Sequence, residues 1–466
     1  MTGPANGPMS GPANGPAIGP EQAVLVRRGA YHDSVALMRV SRALSELPGV
    51  TAAMVAMATD LNVSILREMG FAVPEADPGD LLIAVRAHDT DAAVEEAERQ
   101  LTAARGADSD PEEQPPLTTR SATARGAGDL VLVSTPGEYA FFEALDAIEA
   151  GLPVMIFSDG VGLAQERRLK ELAETKGVLV MGPDCGTAAI GGAGLGFANV
   201  LAPGPVGVVA ASGTGAQQVT CLLDRAGVGV SHVLGVGGRD LSAEVGGLST
   251  LRALGMLDDD PATELIVLIS KPPAPEVARA VLKRRPRTPV VPALLGQAAG
   301  TDLTRAAEDV LRALGRPVPE WPSWPARPGP RPAPKRLKGL YSGGTLSAEA
   351  ALLAGQGDFV DFGDDAFTRG RAHPMIDPTL RVEALDRAEE TDVVLMDVVL
   401  GHGADPDPAA SLAPAVARTP TTVVIALIGT EGDPQDLRRQ ATAFHEAGAA
   451  VFTSNAQAAR HARSLL

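Results

Sequence analysis

Short apolar runs alternate with amphipathic stretches along most of the chain. Between residues 22 and 105, "AVLVRR", "VTAAMVAMA" and "DLLIAVRA" read as strands, and "YHDSVALMRVSRALSEL" carries its apolar residues at helical spacing. That alternation predicts a small N-terminal α/β domain. Residues 106–128 have the Pro, Ser, Thr and acidic composition of a linker. From 129 to 202 three further strands each end in a polar or Gly/Pro turn, which predicts half of a doubly wound sheet with its ligand side at the strand C-terminal ends. Another βα run follows at 203–315, then a Pro-rich linker at 316–336, then a last α/β unit at 337–466. Residues 1–21 repeat "GPANGP" and read as a disordered tail.

The last two units look like copies. "ASGTGAQQ" answers to "YSGGTLSAE", and "ELIVLISKPPAP" to "DVVLMDVVLGHGA". Ser342 minus Ser212 is 130, and Val393 minus Ile266 is 127, so the offset is nearly constant. Two such domains can face each other across a pseudo-two-fold interface.

In both copies a strand breaks through Ser-Gly-Thr or Ser-Gly-Gly-Thr into a helix. Helix N-termini offer unpaired N–H groups and partial positive charge. Ser212, Gly213 and Thr214, with Ser342, Gly343, Gly344 and Thr345, are therefore candidates for a phosphate or carboxylate seat, the hydroxyls adding donors. The plainer alternative is that Ser and Thr only cap two helices. "DFGDDAFTRGRAHPMIDP" gathers Asp364, Asp365, Arg369, Arg371, His373 and Asp377 into one loop near the second seat. Arg371 and His373 are candidate oxyanion contacts, against a solvated turn whose charges pair among themselves. His402 follows another strand end, as a ligand contact or a turn residue. Cys185, in "MGPDCGT", is either a nucleophile or a small buried residue.

Charge and composition remove several classes. The net charge of −17 and the lack of a basic stretch disfavour nucleic acid. No Walker A motif occurs, and neither "GGAGLGFANV" nor "GVGGRD" fits the dinucleotide fingerprint. Two cysteines, Cys185 and Cys221, build neither a disulfide framework nor a metal cluster, which with the absence of an apolar membrane span or signal peptide points to the cytoplasm. No metal site is expected.

The order "GPDCGT", "GVVAASGTGAQQ", "LGVGGRD", "ELIVLIS" resembles the α subunit of succinyl-CoA synthetase, and "YSGGTLSAEA", "DFVDFGDD", "DVVLMDVVLG" resembles the ligase domain of its β subunit. With "RRGAYHDSVALMRVSRAL" and "GRAHPMIDPTLR", the whole from about Ala23 onward resembles the FdrA family of acyl-CoA synthetase-like proteins. The resemblance implies an α/β protein with a Rossmann-like CoA-binding domain and two flavodoxin-like ligase domains. It implies CoA contacts around Pro183, Asp184 and Cys185, and two helices converging on one anion. In synthetases of this type such helices hold a phosphorylated histidine. Here the corresponding loop reads "AAGTDLTRAAEDV" without histidine, Ser270-Lys271 replaces the glutamate expected after the preceding strand, and no ATP-grasp domain is present. A free acyl phosphate or carbamoyl phosphate is then the expected occupant, with Lys271, Arg371 or His373 assisting. FdrA-like proteins are associated with allantoin catabolism and with carbamoyl transfer between oxamate and phosphate, together with separately encoded partner subunits. An NDP-forming acyl-CoA ligase and a non-catalytic CoA- or anion-binding regulatory subunit are the alternatives; whether CoA binds and whether the chain forms a homo-oligomer stay open.

Overall fold

The computed structural model describes residues 21–30, 32, 34–104, 116–126, 128–284, 286–297, 302–326, 336–368 and 371–466. The expected N-terminal tail lies outside them, apart from Glu21. The chain divides into two units, Met1–Asp110 and Pro111–Leu466.

The first unit runs β1 (Glu21–Arg27), α1 (Ser34–Ser45), β2 (Val50–Met57), α2 (Asp60–Glu68), β3 (Leu81–Ala87) and α3 (Thr90–Ala104). Its antiparallel sheet has the order β1-β3-β2. "LLIAVRA" is almost continuously apolar because the central strand is covered on both faces. Ile83 and Val85 pack with Leu37, Leu44 and Ala97 on one side, and Leu82 and Ala84 with Leu66 and Phe71 on the other.

The second unit opens with α4 (Thr119–Ala124), a short helix inside the expected linker. Its Thr118 side chain accepts from the Ser121 N–H, and the Ser121 side chain accepts in return from the Thr118 N–H, so two polar residues characteristic of linkers start a helix instead. Then β4 (Val131–Val133), α5 (Gly137–Glu149), β5 (Val154–Ile156), α6 (Leu163–Lys176) and β6 (Val180–Met181) form a three-stranded parallel sheet. Next come β7 (Thr187–Ile190) and β8 (Ala193–Gly196), joined by a two-residue turn in which Gly191 and Gly192 both have positive φ. This hairpin belongs to the sheet that continues after residue 202, the boundary expected from sequence.

That sheet continues with β9 (Pro203–Ala211), α7 (Gly213–Arg225), β10 (Val230–Gly235), α8 (Leu248–Asp259), β11 (Leu265–Ser270), α9 (Pro275–Lys283), β12 (Val290–Leu294) and α10 (Leu303–Ala313). The strand order is β12-β11-β9-β10-β7-β8. The last part holds β13 (Ser323–Trp324), β14 (Arg336–Tyr341), α11 (Gly344–Ala354), β15 (Asp358–Asp361), α12 (Asp365–Thr368), α13 (Thr379–Asp386), β16 (Asp392–Val399), α14 (Pro408–Arg418), β17 (Thr422–Ile428), α15 (Leu437–Glu446), β18 (Ala450–Phe452) and α16 (Asn455–Ser464). Its order is β13-β18-β17-β16-β14-β15. The parallel cores superimpose in topology: β12-β11-β9-β10 in one sheet matches β17-β16-β14-β15 in the other, as the repeat in sequence requires. β13, from the Pro-rich linker, pairs antiparallel with β18, and neighbouring Trp321 is buried.

Parallel strands covered on both faces need apolar side chains throughout. Accordingly β11 and β16 are buried from end to end; β11 is polar only at its last residue, Ser270, and β16 at its first, Asp392, and near its end, at Asp397. α7 packs against α10 and α11, and α11 against α16. The two repeats thus meet along helices that begin at the predicted seats.

Candidate functional site

The two seats meet, but differently from a pair of open hydroxyl-lined cups. Ser212 has extended backbone and caps α7: its Oγ accepts from the Gly215 N–H at 2.9 Å and donates to Thr345 Oγ1 at 2.7 Å. Ser342 does not cap α11. Its N–H and Oγ both donate to Asp397 Oδ1, at 2.8 and 2.9 Å, and Arg381 donates to the same oxygen at 3.1 Å. Gly343 takes the cap position, with no side chain to satisfy the helix. Ser212, Ser342 and Thr345 are all buried, so the expectation of free hydroxyl donors is corrected: buried hydroxyls need partners, and these three have protein ones.

The helix starts are in contact. A Cβ at Gly343 would stand 2.6 Å from Thr214 Oγ1, closer than packing allows, which explains glycine there. The Ser212–Thr345 bond closes the base of the junction. Gly213, Thr214 and Gly344 remain partly accessible at its mouth. Gly343 gives α11 no side-chain cap, and its own N–H is bonded to the Asp397 carboxylate.

Two titratable groups crowd that mouth. Asp361, at the end of β15, accepts from the Gly363 N–H at 2.9 Å through Oδ1 and lays Oδ2 against Gly344. Lys271, exposed after β11, brings Nζ to 3.2 Å from the place a Gly344 Cβ would occupy. Burial raises the Asp361 carboxyl to about 6 and the negative charge of Asp397 adds to the rise, while the Gly363 hydrogen bond and Lys271 oppose it. Asp184 lies within electrostatic reach of Lys271; enclosure by surrounding protein lifts it to about 7, Asp159 and Asp365 contributing, although its accessible face lets water limit the rise.

His373 stands on the far side of Gly363, its Nε2 2.8 Å from where a Cβ would be. Its Nδ1 accepts from the Met375 N–H at 3.2 Å, and its ring lies 5.5 Å from that of Phe197. Burial holds its pKa down at about 4 and Arg381 reinforces the effect. At neutral pH it is therefore an uncharged imidazole with Nε2–H available to donate, not a cation.

The remaining expected residues are scattered. The Arg371 side chain is exposed and makes no hydrogen bond or ion pair among the described residues; Arg369 lies outside them. Cys185 is buried, and burial pushes its thiol up to about 12, so it offers no thiolate. Pro183 is buried beside it, whereas Asp184 is exposed. His402 uses its backbone to bridge to Ala198. The Asp240 of "GVGGRD" is consumed internally, accepting from Lys170, Ser249 and Thr250, and Arg239 is tied to Glu166. Asp361 and Asp397 were missed from sequence, though a polar residue at the C-terminal end of a buried parallel strand is itself a signal.

Among the described residues there is no group of three or more His, Cys, Asp or Glu side chains able to hold a metal ion, and no helix long and apolar enough to cross a membrane.

Residues 340–465 match the CoA-ligase family, and residues 20–116 match the AllF heavy metal-associated domain. The latter stretch has no cysteine. The chain is 36% identical to the uncharacterized protein YahF of Escherichia coli (strain K12), over 95% of this chain and 98% of that protein. It is 30% identical to the succinate–CoA ligase [ADP-forming] subunit alpha 1 of Archaeoglobus fulgidus, over 39% of this chain and 63% of that subunit. A solved dinucleotide forming acetyl-coenzyme A synthetase 1 from Ca. Korarchaeum cryptofilum, in complex with phosphate and ADP, aligns with a TM-score of 0.28 and 16% identity over 72% of this chain and 82% of that one.

Proposed function

The chain belongs to the FdrA family of acyl-CoA synthetase-like proteins, and from that premise we propose that the α7–α11 junction seats the phosphate of carbamoyl phosphate, with oxamate as carbamoyl acceptor. The observation carrying this reading is the direct meeting of two helix N-termini, one of them uncapped, beside Lys271. No histidine stands between Gln297 and Leu303 to carry a phosphoryl group, which favours a free phosphate compound over a phosphorylated side chain.

In this reading the oxamate amide nitrogen attacks the carbamoyl carbon. A C–N bond forms, the C–O bond to phosphate breaks, and phosphate departs with the electron pair. Developing charge on that oxygen meets the helix N–H groups and Lys271, while neutral His373 donates a hydrogen bond from Nε2. The nitrogen's proton passes to a carboxylate; Asp184, raised towards neutrality, suits that role.

Membership of a CoA-ligase-type family favours a second reading, an acyl-CoA ligase, in which bound CoA supplies a thiol acceptor. Asp159 and Asp184 stand beyond the ends of β5 and β6, and burial raises both carboxyls. The test is direct. Purified protein with its separately encoded partners, given carbamoyl phosphate and oxamate, is expected to yield oxalurate and phosphate. CoA-dependent ADP formation from ATP and a short carboxylate, without oxalurate, would replace the first reading by the second.

A further inference from the structure

We propose that one water molecule is a built-in part of the seam between the two repeats, bound in a small cavity beside α7 by the side-chain oxygen of Gln217.

Gln217 and Gln218 are consecutive and both buried, yet they end differently. Gln218 uses both ends of its amide: Oε1 accepts from the Asn455 N–H at 2.8 Å and Nε2 donates to the Thr453 carbonyl at 3.2 Å. The orientation of Gln217 is dictated from Asp433. That buried carboxylate accepts from the N–H groups of Val200 and Thr430, both at 2.8 Å, and from Asn199 Nδ2 at 2.7 Å. Asn199 Nδ2 also donates to the Leu400 carbonyl at 2.9 Å, so Asn199 Oδ1 is left as an acceptor. Gln217 must therefore present Nε2 to it, at 3.0 Å. Gln217 Oε1 then points elsewhere, and no protein donor reaches it among the described residues. The side chain is 2% exposed, so leaving that oxygen without a donor is unfavourable.

The same side chain lines a cavity of about 10 Å3, room for the centre of one water and no more. Its walls suit a water that donates twice and accepts once. Gln217 Oε1 takes one proton. Thr220 Oγ1, whose own proton goes to the Ala216 carbonyl at 2.8 Å, takes the other, and the Thr187 hydroxyl donates. Ala189 and Val233 form the apolar side, and no charged side chain lines the cavity, which disfavours an ion. The water completes a line of hydrogen bonds from α7 through Gln217 and Asn199 to Asp433, and so helps hold the first repeat to the loop after β17.

A crystal structure of the full chain, at a resolution that shows ordered solvent, tests this. A solvent peak is expected within hydrogen-bonding distance of both Gln217 Oε1 and Thr220 Oγ1. Absence of the peak, or rotation of Oε1 onto a protein donor, overturns the proposal. Two substitutions give an independent reading in solution. Thr187 Oγ1 lies 3.2 Å from where a Gly213 Cβ would stand, and Ala189, two residues further along β7, points to the same side. Ala189→Ser puts a hydroxyl into the cavity and should leave the melting temperature unchanged or higher, with the solvent peak gone. Ala189→Cys fills the same space with only a weak donor and should melt lower than both Ala189→Ser and wild type. In a dry cavity the larger, less polar thiol is the better filling, so Ala189→Cys melting above Ala189→Ser overturns the bound water.

Discussion

The starts of α7 and α11 come from closely similar strings, yet each solves the problem of its unpaired N–H groups in its own way. In α7 the serine bends back and caps its own helix. In α11 the matching serine is drawn off by Asp397 on the neighbouring strand. With the offset of 127 that relates these strands, 397 minus 127 is 270, so the first repeat carries Ser270 where the second carries Asp397. One buried carboxylate converts a capped helix into an open one. The capped copy supplies a rigid wall; the open copy supplies the donors that a ligand can use.

Removing the carboxylate should break the contrast most severely. Asp397→Ala leaves the buried Arg381 guanidinium without its charge partner, and a loss of about 3–5 kcal/mol in urea unfolding is expected. Ser270→Ala, at the matching position, should cost less than about 1 kcal/mol. The glycines test the contact between repeats. Gly343→Ala drives a methyl into Thr214 and should cost about 1–3 kcal/mol, read as a lowered melting temperature. At Gly213 the new methyl would stand 3.2 Å from Thr187 Oγ1, which a small shift relieves, so the drop should be clearly smaller.

A subtler difference lies one helical stretch further on. By the offset of 130, Glu349 of α11 matches Val219 of α7. Glu349 is buried and accepts from the Leu303 N–H and from Asn455, and burial raises its carboxyl to about 7. A carboxyl raised in the folded state favours folding at pH below its ordinary 4.5, and that contribution is lost as pH climbs through 7. Melting temperatures of wild type and Glu349→Gln should therefore diverge in the variant's favour as pH rises from 5 to 8. A constant difference would show that Glu349 does not titrate in this range.

Much of the architecture was legible because burial writes itself into composition. β11 and β16 are largely apolar runs, and the two parallel cores share one strand order, as the sequence repeat implied. Elements that depend on edges were less legible. β13 hides in a Pro-rich stretch because two residues suffice to pair with the free edge of β18, and the β7–β8 hairpin joins a sheet that follows it. At the site, the Ser-Gly-Thr turns were visible. The loss of their hydroxyls to Thr345 and Asp397 was not, since those partners lie 133 and 55 residues away.

The amino-acid order by itself determined the repeats, the helix starts and the absence of a histidine in the expected loop, because these follow from local periodicity, turn chemistry and residue identity. Only the tertiary structure decided which start is open, that Asp361 and Lys271 share Gly344, and that His373 is neutral. Those outcomes depend on packing partners and on the desolvation that packing imposes. Neither is encoded in any short stretch of chain.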